Sequence, residues 1–250
     1  MTDRQPRLPP FFHLVALDSI DSTNEEARRR AAAGAGEGTL VWACEQTAGR
    51  GRRGRAWHSP RGNLYMSLLL QPGCSPAAAG QLGFVAAVAL AGTLDDLLPR
   101  PERIRLKWPN DVLVEGRKIS GILLEATAAP PGGVVLGVGV NLRVRPEESL
   151  YPTASLVELG LPDPDLPAFL ERFAAGLQSW YDTWRASGFA PVRAAWLARA
   201  VGLGEEIVIR LDRETLTGRF AALDESGALA LDLPEGRRLI AAGDVFFPAS

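Results

Sequence analysis

At Gly204 the spacing of apolar residues in this chain changes, and the change divides what it can fold into. Downstream, residues 207–211, 215–223, 228–233 and 238–241 alternate apolar and polar positions, as short half-buried strands do. Turn chemistry at Asp224-Glu225-Ser226-Gly227 and Pro234-Glu235-Gly236 separates them. These features predict a small β-barrel or sandwich of about 45 residues, too small to rely on a core of its own. Upstream, strands and helices interleave. Strands are predicted at 13–20, 39–45, 63–71, 104–107, 112–115, 118–126 and 134–144, with 112–115 and 118–126 forming a hairpin about Glu115-Gly116-Arg117. Helices are predicted after Ser22, over 76–98, and once or twice within 166–200, where Phe169, Phe173, Leu177, Trp180 and Trp184 recur at helical spacing. Ser22 with Glu25 three residues on reads as a capping box. The Pro-rich residues 1–12 read as a flexible tail, and 145–165 as a Pro-rich connection. The division is therefore a tail at 1–12, a main domain at 13–200 and a β domain at 201–250.

Composition excludes several classes. Of 250 residues, 46% are hydrophobic and 22% charged, which is globular rather than disordered. Basic and acidic residues number 27 and 29, so no global basic field for nucleic acid exists. Cys44 and Cys74 lie in no CxxC and beside no histidine pair, which argues against a disulfide framework or zinc site and fits a reducing compartment. The apolar runs 84–90 and 134–140 fall short of a membrane span, and the start lacks a signal-peptide core. A cytoplasmic protein with no membrane partner is expected.

Rare residues concentrate where chemistry is expected. Only two of the basic residues are lysines, Lys107 and Lys118, and the four asparagines are Asn24, Asn63, Asn110 and Asn141. Gly49-Arg50-Gly51-Arg52-Arg53-Gly54-Arg55 packs four arginines and three glycines into one loop. Like-charge repulsion predicts poor order until an anion closes it, with backbone N–H groups and guanidiniums around phosphate oxygens. It is neither a Walker loop nor a GxGxxG turn, and alone it fits an RNA-contacting tract equally well. Lys107-Trp108-Pro109-Asn110-Asp111 is turn chemistry, and Lys118 returns on the next strand. A carboxylate among these cations suits Mg²⁺ and a triphosphate, though an Asp that merely caps a hairpin turn has the same local sequence. Ser22, Thr23, Asn24 and Gln46 are neutral donors and acceptors suited to an amide or ureido group. Gly137-Val138-Gly139-Val140-Asn141 permits close backbone approach, and Trp57 offers a stacking face. His13 and His58 lack metal-ligand spacing, and no Ser-His-Asp or Cys-His arrangement is evident.

Together these segments resemble the biotin protein ligases: DSTN at 21–24, EQTAGRGRRGRAW at 45–57, KWPNDV at 107–112, GRKISGILLE at 116–125 and GVGVNL at 137–142. The resemblance runs from about His13 to Phe246. It implies an α+β fold, a mixed β-sheet with helices packed on one side, followed by a small SH3-like β-barrel. It implies ATP-dependent formation of biotinyl-5′-adenylate and pyrophosphate, then transfer of biotin to a lysine of a carboxylase carrier domain. By the same resemblance, Ser22, Thr23, Asn24, Gln46, Gly49, Arg50, Gly51, Arg52, Lys118 and Gly121 bind biotin. Arg52, Arg53, Arg55, Trp57, Asn110 and Asn141 bind nucleotide, and Lys118, Arg50, Asp111 and Lys107 act in catalysis. Mg²⁺ arrives with ATP, with Asp111 as its candidate protein ligand. Some members carry an N-terminal winged helix–turn–helix and repress genes. Only about a dozen residues precede the first strand here, so no DNA partner is expected; monomer and homodimer both stay open. The alternatives are a lipoate or octanoate ligase or transferase of the same fold, which lacks the GRGRRGR loop, and an RNA-binding module.

Overall fold

The computed structural model describes residues 4–127, 133–147, 149 and 151–247. The first and last three residues of the expected tail and β domain lie outside these. The interleaved strands meet in one seven-stranded sheet: β1 (His13–Leu17), β2 (Thr39–Ala43), β3 (Leu64–Leu70), β4 (Ile104–Lys107), β5 (Asp111–Val114), β6 (Arg117–Thr127) and β7 (Gly133–Val140). Its order is β1-β2-β3-β7-β6-β5-β4. β1 and β2 are parallel and the remaining neighbours antiparallel, so the sheet is mixed. Glu115 and Gly116, both at positive φ (51° and 73°), close the β5–β6 hairpin where it was expected.

The helices are α1 (Thr23–Ala32), α2 (Pro76–Ala79), α3 (Leu82–Asp95), α4 (Leu166–Ser187) and α5 (Phe189–Leu197). α3, α4 and α5 pack together against one sheet face, over Leu40, Trp42, Leu68, Leu136 and Val138. α1 lies on the other face, its Ala27 and Ala31 against Val41, Leu69 and Val135. The expectation of helices on one side is thus corrected in this one respect: the sheet centre is covered on both sides, which is why β3 is buried at every position and apolar at all but Ser67. α3 belongs to a stretch long and apolar enough to cross a membrane, Pro76–Asp95, but 72% of that stretch is buried inside the protein. The single helix expected over 76–98 breaks near Gln81. This buried amide donates to Glu225 O (2.9 Å) and accepts from Trp184 Nε1 (2.7 Å).

A second, antiparallel sheet contains β8 (Glu206–Arg210), β9 (Thr215–Leu223), β10 (Leu229–Leu233), β11 (Gly236–Ile240) and β12 (Asp244–Phe246), in the order β11-β10-β9-β8-β12. Three-residue β12 is too short to show alternation and was not expected; it pairs with β8, Asp244 opposite Arg210. Trp108 docks the two sheets, donating from Nε1 to Gly227 O (3.1 Å). Backbone bonds Leu106 N to Arg199 O and Val201 N to Leu106 O seal the edge at β4.

Two local expectations change. Ser22 sits at the N-cap of α1 without a side-chain cap bond, and Glu25 pairs with Arg50 and Arg28 rather than closing a capping box. Residues 4–12 are tied down: Arg4 pairs with Glu171 (2.7 Å) on α4, Arg7 N donates to the same carboxylate, and Phe12 is buried.

Candidate active site

The sheet face that carries α1 holds a cavity of about 590 Å³. Its floor is glycine. Gly121 pairs with Gly139 across β6 and β7, and Gly137 lies two residues along. A Cβ on Gly139 would stand 2.5 Å from Trp57 Nε1, one on Gly121 3.0 Å from Trp57 Cζ3, and one on Gly137 2.2 Å from Asn24 Oδ1. The indole of Trp57 and the amide of Asn24 therefore lie directly on the strands, where only glycine permits them.

At one end the groups are neutral. Gln46 Oε1 accepts from Thr23 N (2.8 Å) and Thr23 Oγ1 (3.1 Å), while its Nε2 donates to Ser59 Oγ (2.9 Å). Ser67 Oγ lies 2.8 Å from Thr23 Oγ1 and 2.5 Å from Asn24 Oδ1, and Asn24 Nδ2 donates to Glu125 Oε2 (2.7 Å). Ser22, Thr23, Asn24 and Ser67 are buried. Asp21 fixes this turn by accepting from Ser22 N (2.7 Å), and the Arg29 guanidinium beside it lowers its carboxyl to about 2.

At the other end the groups are cationic. Lys118 Nζ lies 2.7 Å from Asp111 Oδ1, an ion pair outside hydrogen-bond alignment, and 5.3 Å from the Trp57 ring centroid. The connection after β7 holds the Lys118 backbone along one edge, in a parallel bridge to Thr153: Lys118 N donates to Pro152 O and Ala154 N to Lys118 O. Lys107 is buried, its Nζ 4.4 Å from the Tyr151 ring centroid and 5.7 and 5.6 Å from those of Phe246 and Phe247. Among the described residues no carboxylate comes within ion-pair distance of it, and burial pushes its ammonium below the ordinary lysine range. No group of three or more His, Cys, Asp or Glu among the described residues could hold a metal ion.

The arginine loop is folded between these ends. Gly51 N donates to Arg55 O and Trp57 N to Gly49 O, around a short turn in which Arg53 takes φ 55°. The expected repulsion is offset by carboxylates from distant elements. Arg50 pairs with Glu25 and lies 3.7 Å from Glu125; Arg53 (3.0 Å) and Arg55 pair with Asp244, and Arg52 lies 3.8 Å from it. Arg52 also donates to Asn110 Oδ1 (3.2 Å) and Gly243 O (3.3 Å). Burial lowers its pKa.

This chain matches the model of the biotin/lipoate A/B protein ligase family over residues 16–141 and that of the biotin protein ligase C-terminal domain over 202–247. It is 43% identical over 244 residues to the biotin–[acetyl-CoA-carboxylase] ligase of Paracoccus denitrificans, covering 92% of this chain and 99% of that one. The chain belongs to the biotin protein ligase family. The Mycobacterium tuberculosis biotin–[acetyl-CoA-carboxylase] ligase is 35% identical over 98% of both chains. The biotin protein ligase of Aquifex aeolicus, solved in complex with biotin and ATP, superposes with a TM-score of 0.82 at 30% identity, covering 94% of this chain and 97% of that one. The fold is the biotin ligase fold, and the second sheet is the SH3-like domain of that family.

Of the residues expected from the biotin ligase motifs, Ser22, Thr23, Asn24, Gln46, Arg50, Gly51, Arg52, Arg55, Trp57, Lys107, Asn110, Asp111, Lys118, Gly121 and Asn141 all line this cavity. Gly49 stands just behind: a Cβ there would lie 2.5 Å from Ser59 Oγ. Arg53 faces Asp244 and Asp212 instead. Asn110 and Asn141 also hold chain segments together, donating from Nδ2 to Ile122 O (2.8 Å) and Ala154 O (3.2 Å). The sequence reading missed Ser67, Glu125, Tyr151 and Asp244. Their partners lie far away in the chain, and only the scarcity of tyrosine, three residues in all, marked one of them.

Proposed function

We propose that this chain is an ATP-dependent biotin protein ligase, which joins biotin and ATP as biotinyl-5′-adenylate with release of pyrophosphate and then biotinylates a lysine of a carboxylase carrier domain. The carrying observation is the polarity of one cavity: neutral hydrogen-bonding groups around Thr23 and Gln46 at one end, Lys118, Lys107 and Arg52 at the other, and a glycine floor between. The neutral end suits the uncharged ureido ring of biotin, whose burial against unpaired charges would be costly. The fused apolar rings lie along the glycine floor, and the carboxylate extends toward Lys118.

Adenylation brings two anions together. A biotin carboxylate oxygen attacks the α-phosphorus as the bond to pyrophosphate breaks. Lys118 offsets charge at the carboxylate and α-phosphate, and Arg50 and Arg52 close over the tail. Lys107 and Asp111 form the turn that receives the triphosphate, and Trp57 stacks beside the nucleotide, with Arg55, Asn110 and Asn141 around it. Asp111 fits Mg²⁺ by the chemistry of its carboxylate, whose Oδ1 already faces one cation, the Lys118 ammonium at 2.7 Å; this ion characteristically takes one or two carboxylates plus substrate phosphates. Bound with ATP, Mg²⁺ would neutralise charge on the leaving pyrophosphate. In the second step a neutral carrier amine attacks the mixed anhydride carbonyl, AMP leaves, and the closed loop keeps water away. In this scheme residues 13–200 carry the chemistry and 201–250 complete the site.

The test is biotin-dependent AMP formation from Mg-ATP, with lipoate as control and with a carrier domain added. Turnover with biotin alone, and biotin on one carrier lysine, is expected. Turnover with lipoate would reassign the substrate; no turnover from folded protein would overturn the reading.

A further inference from the structure

The carboxylate of Asp244 gathers three guanidiniums of the arginine loop: Arg53 at 3.0 Å, Arg52 at 3.8 Å, and Arg55 in direct contact. Its side chain is only 13% exposed, so water screens these contacts little. β12 fixes the carboxylate through pairing with β8. The other acid on this part of the loop, Asp212, reaches Arg53 alone and is 86% exposed, where an ion pair has little strength. Each guanidinium has five N–H donors, so one carboxylate cannot saturate three of them. The cluster keeps a positive excess while its members are held at fixed distance from one another.

We propose that Asp244 is a positioning residue for adenylation. It acts through Arg52 and Arg55, holding them as a preformed cradle for the nucleotide phosphates, while its pair with Arg53 fixes the turn between them. It does not touch reacting atoms, and the proposal rests on the ATP-using reading above. Without this counterion the three cations repel one another, and the turn at Arg53 loses what opposes that repulsion. Order would then have to be supplied by the nucleotide itself, at the expense of its affinity. The ureido end is built on Thr23, Gln46 and Ser67 and touches none of these groups, so biotin meets the cluster only at its tail, through Arg52.

The experiment compares the full chain with Asp244→Asn, which keeps shape and removes charge, and Asp244→Glu, which restores charge. Pyrophosphate release is measured against MgATP and against biotin. In the Asn variant the KM for MgATP should rise roughly tenfold or more, while the KM for biotin, which meets the cluster through Arg52 alone, should rise several-fold less. The Glu variant should recover most of the loss. Trypsin cleavage between Gly49 and Arg55, measured with no nucleotide or biotin added, should be faster in the Asn variant only. A wild-type KM for MgATP and unchanged cleavage in the Asn variant would overturn the proposal. So would equal rises in both KM values together with a lower unfolding midpoint, which mark a merely structural role. If the wild-type chain releases no pyrophosphate, the ligase reading fails, and the tryptic comparison still decides whether Asp244 orders the loop.

Discussion

The ammonium of Lys118 is held between Asp111 Oδ1, at 2.7 Å, and the face of Trp57, 5.3 Å from the ring centroid. A compact point charge fits that slot, and a flat guanidinium fork does not. Lys118→Arg should therefore lower the rate of adenylate formation by about 100-fold despite keeping the charge. Single-turnover measurement of AMP formation checks this; near-wild-type rates would mean that charge alone suffices.

Gln46 organises the neutral end through both polar atoms of its amide. Gln46→Leu removes the acceptor for two donors of Thr23; the hydroxyl keeps Ser67 Oγ, but the backbone N–H is left unpaired in a buried site. The KM for biotin should rise about 10- to 100-fold. The KM for ATP should move far less, because the cationic end is untouched. Steady-state kinetics against each substrate separates the two effects.

Two glycines make a matched pair. Gly139→Ala puts a methyl group 2.5 Å from Trp57 Nε1, so the indole or strand must shift. A cost of about 1–3 kcal/mol in stability is expected, together with weaker nucleotide binding. Gly92 lies on the exposed side of α3, and a Cβ there would meet no atom within 4 Å. Gly92→Ala should stabilise by about 0.5–1 kcal/mol and leave activity alone. Urea denaturation of both variants supplies the comparison.

Burial lowers the pKa of Lys107 below its ordinary value of 10.5. Between the lowered value and 10.5 the unfolded chain binds more protons than the folded one, so stability from this residue rises with pH across that window. Below the window both states carry the proton and the penalty of burying the ammonium is present in full. Activity that needs the ammonium should fall across the same window. Lys107→Met should flatten the stability slope, as read from urea midpoints at successive pH values up to 10.5.

Elements whose apolar pattern is local were legible. The β5–β6 hairpin and strands β8 to β10 follow from alternation and turn residues, and the two long helical regions from their spacing. Other features depend on partners far along the chain. The break at Gln81 answers to Glu225 and Trp184. The loss of the capping box answers to Arg50, which draws Glu25 away from Ser22. The arginine loop was expected to await an anion, because its own residues supply only repulsion; Glu25, Glu125 and Asp244 oppose it from elsewhere in the fold.

By itself the sequence determined the kind of chemistry. A Gly/Arg loop, two lysines among 27 basic residues and a glycine-bearing strand limit what these segments can bind, since charge, donor inventory and the lack of a Cβ are properties of the residues themselves. Only the tertiary structure decided which groups act together. It set Asp244 against Arg53, 191 positions earlier in the chain, caged Lys107 between Tyr151 and two C-terminal phenylalanines, and laid Trp57 across Gly121 and Gly139. Ion pairing, ring contact and steric exclusion act over a few ångströms of space, and distance along the chain does not report distance in space.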